Sequence, residues 1–120
     1  MKPYQDARVE GEKLAKQYAE LEKVDQVDFY NGLEGYYSVL GHNKKQEAIA
    51  VLIEKNDHKI YVYQLDKGIS QDKAATISRE KGASDIDKIT FGRYQDKPIW
   101  EVKSGNQYYL VDFETGAVIQ

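Results

Sequence analysis

The 120-residue sequence has no cysteine, which removes disulfides, thiol nucleophiles and cysteine-ligated zinc. Compartment stays open on that count, because a reducing cytosol and a cysteine-poor extracytoplasmic space both permit such a chain. No apolar run approaches the ~20 residues of a membrane span, and residues 1–10 hold no signal-peptide core. Charge of one sign is also missing: 17 Lys and Arg against 20 Asp and Glu leave a net charge of -3. That balance gives no chain-wide attraction for phosphate backbones or anionic lipid, so nucleic acid is not expected as a partner. Proline is limited to 2 residues and histidine to His42 and His58, whereas tyrosine is abundant at 10. With 41% hydrophobic and 31% charged residues, the sequence reads as a globular chain of one ordinary domain or two very small ones.

Over residues 7–21, Ala7, Leu14, Tyr18 and Leu21 line one face at helical spacing, with Gly11 in the gap. The opposite face carries Glu10, Glu12, Lys13, Lys16, Gln17, Glu20 and Lys23, a solvated surface. After Lys23 the period becomes two: Val27 and Phe29 flank Asp28 ahead of a hairpin turn at Asn31-Gly32 and then Gly35. Tyr37 and Val39 share a face of the next strand, and residues 41–45 read as a polar loop. Residues 48–53 are continuously apolar, predicting a strand covered on both sides. A turn at Asn56-Asp57 precedes a strand over 59–65, with Ile60 and Val62 on one face and Tyr61, Tyr63 and Leu65 on the other.

A second helix follows, capped by Ser70, with Asp72 in its first turn, a narrow face of Ala74, Ala75, Ile77 and Ser78, and Gly82 as its left-handed stop. Ile69 and Ala74 are placed as a hydrophobic staple. Alternating segments at 89–91, 100–102 and 108–113, a turn at Ser104-Gly105-Asn106 and another at Glu114-Thr115-Gly116 complete the chain.

Helix then strands occurs twice at an offset of roughly sixty residues, the scale of duplicated supersecondary units. Val27-Asp28-Phe29 corresponds to Ile89-Thr90-Phe91, Tyr37-Ser38-Val39 to Trp100-Glu101-Val102, and Val51 through Ile60 to Val111 through Ile119. The expected fold is therefore α+β, two tandem units of a helix packed on an antiparallel sheet, 1–66 and 67–120. Units of this size are marginal alone. The continuously apolar strand predicts that one sheet face packs on its own helix while part of the other meets the neighbouring unit.

Gly68-Ile69-Ser70-Gln71-Asp72-Lys73-Ala74-Ala75, the strand Trp100-Glu101-Val102 and the stretch from Tyr109 through Asp112, Thr115 and Gly116 to Ile119 resemble a PepSY domain. The first unit resembles a degenerate copy, and the chain from about Lys13 onward is similar to the YpmB-like family of Firmicutes, with tandem PepSY-like, cystatin-like units behind a membrane anchor. That resemblance implies a noncatalytic extracytoplasmic protein-binding and regulatory module of the Gram-positive cell envelope, modulating a peptidase or an envelope enzyme. It implies an anchor in the full-length protein, absent from this chain, and no membrane contact by this segment. The alternative is a small-ligand-binding module with a pocket in the cystatin-like sheets. No catalytic residue, metal site or cofactor is implied. The motif residues Ser70, Asp72, Trp100, Val102, Tyr109, Asp112, Thr115 and Gly116 read as determinants of shape: Gly116 takes positive φ in a tight turn, Asp112 accepts from turn amides, and Trp100 and Val102 supply area for the helix.

Chemistry finds little footing elsewhere. His42 and His58 fall in expected turns with no converging ligands, and Asp85 and Asp87 read as a solvated pair without the further oxygen ligands of a calcium loop. Gly32, Gly35 and Gly41 do not form a phosphate-cradling motif, and Ser38 and Ser78 lack a nucleophile's constellation. Lys44 and Lys45 beside His42 make a small basic loop of ordinary solvation. The recognition candidates are tyrosines, which offer large contact area with a polar tip: Tyr61 and Tyr63 on one strand face, and Tyr108, opposite in pleat to Tyr109.

Overall fold

Period-two alternation dominates the sequence, and the chain accordingly folds mostly as strands. The computed structural model describes residues 13, 16, 17, 20–32, 34–57 and 59–119. Among them the fold is α+β, with two antiparallel sheets and one α-helix. The chain divides into two units, Met1–Leu65 and Asp66–Gln120.

In the first unit, β1 (Leu21–Asn31), β2 (Gly35–Asn43), β3 (Ala48–Glu54) and β4 (Ile60–Gln64) form a sheet in sequence order. The helix expected over 7–21 lies mostly outside the described residues; Lys13, Lys16 and Gln17 are helical and exposed. Its expected end is corrected. Glu20 takes a φ of 57, and Leu21 opens β1 as a buried sheet residue. The helical periodicity ran on to Leu21 because β1 starts with two register shifts, between Leu21 and Lys23 and between Val24 and Gln26, which blur its alternation. Gly41 sits opposite this bulged stretch, where an added Cβ would lie 2.2 Å from the Lys23 carbonyl oxygen.

The hairpin expected at Asn31-Gly32 and Gly35 is present: Asn31 pairs with Gly35 around the loop 32–34. The polar loop expected over 41–45 is shorter. β2 runs on to Asn43, which puts Gly41 and His42 in a strand and confines the turn to Lys44 and Lys45. The Asn43 side chain makes that turn: its Oδ1 accepts from the Lys45 and Glu47 amides at 3.0 Å each, and its Nδ2 donates to Glu47 Oε1 at 2.8 Å.

β3 is buried along both faces from Ile49 to Glu54, as its unbroken apolar run requires. One face joins Ile49, Val51 and Ile53 to Leu21 and Val39, with Val24, Val27, Tyr37 and Ile60 packed against them. β4 carries bulky residues on both faces as expected, with Val62 48% exposed, but it is shorter than expected: Leu65 leaves the strand for a single 3-10 turn, Leu65–Lys67.

The second unit contains α1 (Gln71–Glu80) and the sheet β5 (Lys88–Tyr94), β6 (Lys97–Ser104), β7 (Gln107–Asp112), again in sequence order. Ser70 Oγ accepts the Lys73 amide at 3.1 Å, and Asp72 lies in the first turn. At the other end the Gly82 amide reaches the Arg79 carbonyl and the Ala83 amide the Ser78 carbonyl, a Schellman stop with Gly82 at φ 117. The buried face of α1 is Ala74, Ala75 and Ser78, small side chains that admit bulky sheet residues. Those residues are aromatic. Phe91 meets Trp100 edge-on at 4.9 Å and Phe113 at 5.2 Å, contacts worth about 0.5–1.5 kcal/mol each beyond their burial. The Trp100 indole N–H donates to the Ile69 carbonyl at 3.0 Å, so the ring is buried with its polar group satisfied.

β5 and β6 join through Gln95 and Asp96, both at positive φ (49 and 65), a two-residue hairpin built without glycine or asparagine. Past β7, Asp112 Oδ1 accepts the Glu114 and Thr115 amides at 2.8 and 3.1 Å, Gly116 takes φ 81, and residues 117–119 fold back on β7 through a bridge between Val111 and Val118.

Candidate functional site

In the first unit the β1–β2 and β3–β4 hairpins turn at one end of the sheet and the β2–β3 hairpin at the other, because consecutive strands are antiparallel. The Lys55 amide reaches the Gly35 carbonyl at 2.9 Å and ties the two turns together. That contact gathers Glu34, Glu54 and Asp57, which sequence spacing does not associate. Glu54 is the buried member, 7% exposed. Burial above all raises its pKa, and hydrogen bonds with Asp57 and Glu34 and repulsion from both carboxylates push the same way. The Tyr36 hydroxyl donates to Glu34 Oε2 at 3.1 Å. Among the described residues no cluster of three or more acidic or histidine side chains has metal-holding geometry.

From that end an aromatic row crosses the sheet. Tyr30 on β1 and Tyr36 on the adjacent β2 have ring centroids 6.4 Å apart, and Tyr36 reaches across β3 to Tyr61 on β4 at 6.2 Å. Tyr30 and Tyr36 are buried, so their rings serve packing; Tyr61 and Tyr63 are half-buried at the sheet margin. Tyr61 lies opposite Leu52 and Tyr63 opposite Ala50, so both share the pleat side of those residues. On the other side Phe29 stacks against Tyr37 at 5.7 Å, under the Lys55 ammonium at 5.4 Å.

The remaining candidate belongs to the second unit: Tyr108 is 53% exposed and lies opposite Lys103, itself opposite Lys88. Tyr109 is half-buried on the helix side with Trp100, Val102 and Val111. On the Tyr108 side, Glu101 has its pKa raised by burial, with the Lys88 ammonium pulling it back.

His42 differs from expectation. It stands at the end of β2, half-exposed, with Nδ1 2.6 Å from Asp25 Oδ2, and Lys23 approaches the same carboxylate at 3.6 Å. Among the described residues no hydroxyl bonds to it, so the pair has an orienting acid and no nucleophile. His58 lies outside the described residues. Asp85 and Asp87 do not act as a pair: Asp87 Oδ2 accepts the Gly105 amide at 2.9 Å and fixes the β6–β7 turn. Gly32, Gly35 and Gly41 serve close packing; a Cβ on Gly32 would lie 2.5 Å from the Tyr30 hydroxyl oxygen. In the second unit the interval between α1 and its sheet is filled by Phe91, Trp100 and Phe113.

Comparison with known proteins gives a consistent picture. The family model described as a cell wall elongation regulator TseB-like domain matches residues 10–54. The chain is 38% identical over 114 residues to the "Probable cell wall elongation regulator TseB" of Bacillus subtilis (strain 168), covering 88% of this chain and 70% of that protein. Its structure is similar to that of the YpmB protein from Bacillus subtilis with a TM-score of 0.80 and 32% identity, covering 100% of this chain and 97% of the other.

Proposed function

The chain belongs to the YpmB-like family of TseB cell wall elongation regulators, and from that membership we propose that it is a noncatalytic module regulating wall elongation outside the cytoplasmic membrane. It acts there by binding a protein, a peptidase or an envelope enzyme, and is tethered to the membrane as the resemblance implies. The observation that carries this is the 38% identity to a protein named as an elongation regulator.

The contact surface in this reading includes Tyr61, Tyr63 and Tyr108, each leaving part of a large amphipathic ring in reach of a partner. The two sheets are read as tandem PepSY-like, cystatin-like copies. In support, β1, β2, β3 and β4 follow one another across their sheet in the order in which β5, β6, β7 and the folded-back residues 117–119 follow across theirs. The aromatic filling beneath α1 favours protein contact over a ligand pocket at that place.

The test is replacement. The matching segment of TseB in Bacillus subtilis is exchanged for this chain, and cell length and width are scored. Restored wall elongation is expected from the natural sequence, and loss from the triple variant Tyr61→Ala, Tyr63→Ala, Tyr108→Ala that still gives a folded circular dichroism spectrum. Failure of the natural sequence to restore elongation removes the regulatory reading; success of the triple variant removes the tyrosine surface.

A further inference from the structure

A sheet edge is a row of unpaired backbone groups that takes another strand unless charge, proline, a bulge or cover prevents it. Among the described residues the edges of this chain are treated unequally. β1 carries Glu22, Lys23, Asp25 and Asp28 and is distorted by two register shifts. β5 has Thr90, Phe91 and Gly92 buried at its middle, between Lys88 and Arg93. β7 is covered where the Ile119 amide reaches Leu110 and the Asp112 amide reaches Ala117. β4 has none of these devices. Ile60-Tyr61-Val62-Tyr63-Gln64 holds no charge and no proline, pairs with β3 in unbroken register, and is exposed at its centre. No described strand other than β3 pairs with it.

The direction of its backbone groups follows from one hydrogen bond. The Glu54 amide donates to the Lys59 carbonyl at 2.8 Å, which makes 54 and 59 a hydrogen-bonded pair. Hydrogen-bonded and non-hydrogen-bonded pairs alternate along an antiparallel ladder, so Leu52 with Tyr61 and Ala50 with Tyr63 are the next bonded pairs. Tyr61 and Tyr63 thus direct their backbone toward β3. Ile60, Val62 and Gln64 direct theirs outward.

Those three residues are symmetric about Val62. We propose that β4 pairs antiparallel with β4 of a second copy of this chain, about a two-fold axis through Val62, joining two four-stranded sheets into one. In that register Val62 meets Val62 and Ile60 meets Gln64, and each such pair exchanges both of its outward N–H···O bonds. Tyr61 faces Tyr63 of the second copy in the closer, non-hydrogen-bonded position, where aromatic pairs stabilise a sheet. No like charges oppose one another. Beyond the strand, the end that carries the exposed Lys59 in one copy meets the end that carries the exposed Asp66 in the other, opposite in sign. The interface is isologous and closes on itself, so it makes dimers and not fibres. Five residues a side fall short of the ~1,200 Å² of a stable interface, so association is weak and reversible.

The absence of cysteine makes the test direct. Residues in a hydrogen-bonded antiparallel pair have Cα atoms about 5.5 Å apart, inside the range a disulfide spans. Val62→Cys in the full chain, oxidised mildly at about the dissociation constant, is expected to give mostly covalent dimer. Tyr61→Cys, Tyr63→Cys and Asn106→Cys, whose equivalents in the second copy are out of reach, are expected to stay at background. Sedimentation equilibrium of the natural chain is expected to show reversible dimers, weakened at least tenfold by Val62→Pro, which removes an outward N–H and leaves the β3 ladder whole, and by Val62→Lys. Background crosslinking by Val62→Cys, equal crosslinking by Tyr61→Cys, a strictly monomeric natural chain, or a different protein's strand found on β4 would each overturn the proposal.

Discussion

Gly68→Ala adds one methyl group and should cost more than the same change at Gly105 in the same unit. The new Cβ would lie 2.4 Å from the Phe113 carbonyl oxygen and 2.6 Å from two atoms of its ring. No φ constraint accompanies this, because Gly68 is not in the left-handed region. The cost is therefore steric, and the methyl cannot be relieved by a rotamer change because the nearest atom is backbone. The segment must retreat, which stretches the Ile69 amide bond to the Phe113 carbonyl (2.8 Å) and the Trp100 indole bond to the Ile69 carbonyl (3.0 Å). Overpacking costs about 1–3 kcal/mol, and weakening two hydrogen bonds adds up to about 1 kcal/mol each. Reduced freedom of the unfolded chain returns about 0.4–1 kcal/mol. The net expectation is a loss of about 2–3 kcal/mol, or roughly 1–2 M in urea midpoint at an ordinary m-value.

Trp100 is the single tryptophan, so urea unfolding followed by its fluorescence reports on the unit that contains the substitution. Gly105→Ala is the companion, since a Cβ there meets nothing within 4 Å but must adopt φ +61. Its cost is conformational only, about 1–2 kcal/mol. Gly68→Ala exceeding Gly105→Ala is the expected order. A Gly68→Ala protein as stable as the natural one would mean that the close approach to Phe113 is not what fixes the start of α1.

Gln95→Asn with Asp96→Gly should stabilise by about 1 kcal/mol, because both residues occupy positive φ that Asn-Gly adopts with less strain; thermal melting reads it, and an unchanged midpoint refutes it. Ser78→Ala should be neutral or stabilise by up to about 1 kcal/mol, since the Ser78 hydroxyl is buried with no partner among the described residues and alanine is the better helix former. Glu54 supplies a pH prediction. Its folded pKa is raised above the unfolded value of 4.5, so the folded state holds the extra proton and stability falls as pH rises from 4.5 through the folded pKa. Glu54→Gln should therefore melt above the natural protein at neutral pH, with the gap closing toward pH 4.5; a gap that widens on acidification has the wrong sign.

The second unit was easier to read from its sequence because its punctuation is local. Ser70, Gly82, Gly105, Asp112 and Gly116 each do in the structure what their side chains or lack of one permit over two or three residues. Three failures share a different cause. Leu21 and Lys23 looked helical because bulges removed the alternation of β1, and the Gly41 contact that accommodates them is eighteen residues away. The Gln95-Asp96 hairpin has no glycine or asparagine to announce it; the strands on either side enforce it. Glu34, Glu54 and Asp57 meet only because two hairpins end side by side, a fact of sheet order that no spacing encodes. Alternation gives the pleat of the tyrosines directly, but the division between buried Tyr30 and Tyr36 and half-buried Tyr61 and Tyr63 depends on distance from the sheet margin.

The fold-back of residues 117–119 onto β7 makes those residues the outer neighbour of that strand. A stop codon at position 117 would strip the Ile119 amide from the Leu110 carbonyl and the Ala117 carbonyl from the Asp112 amide, turning a closed margin into one open to other chains.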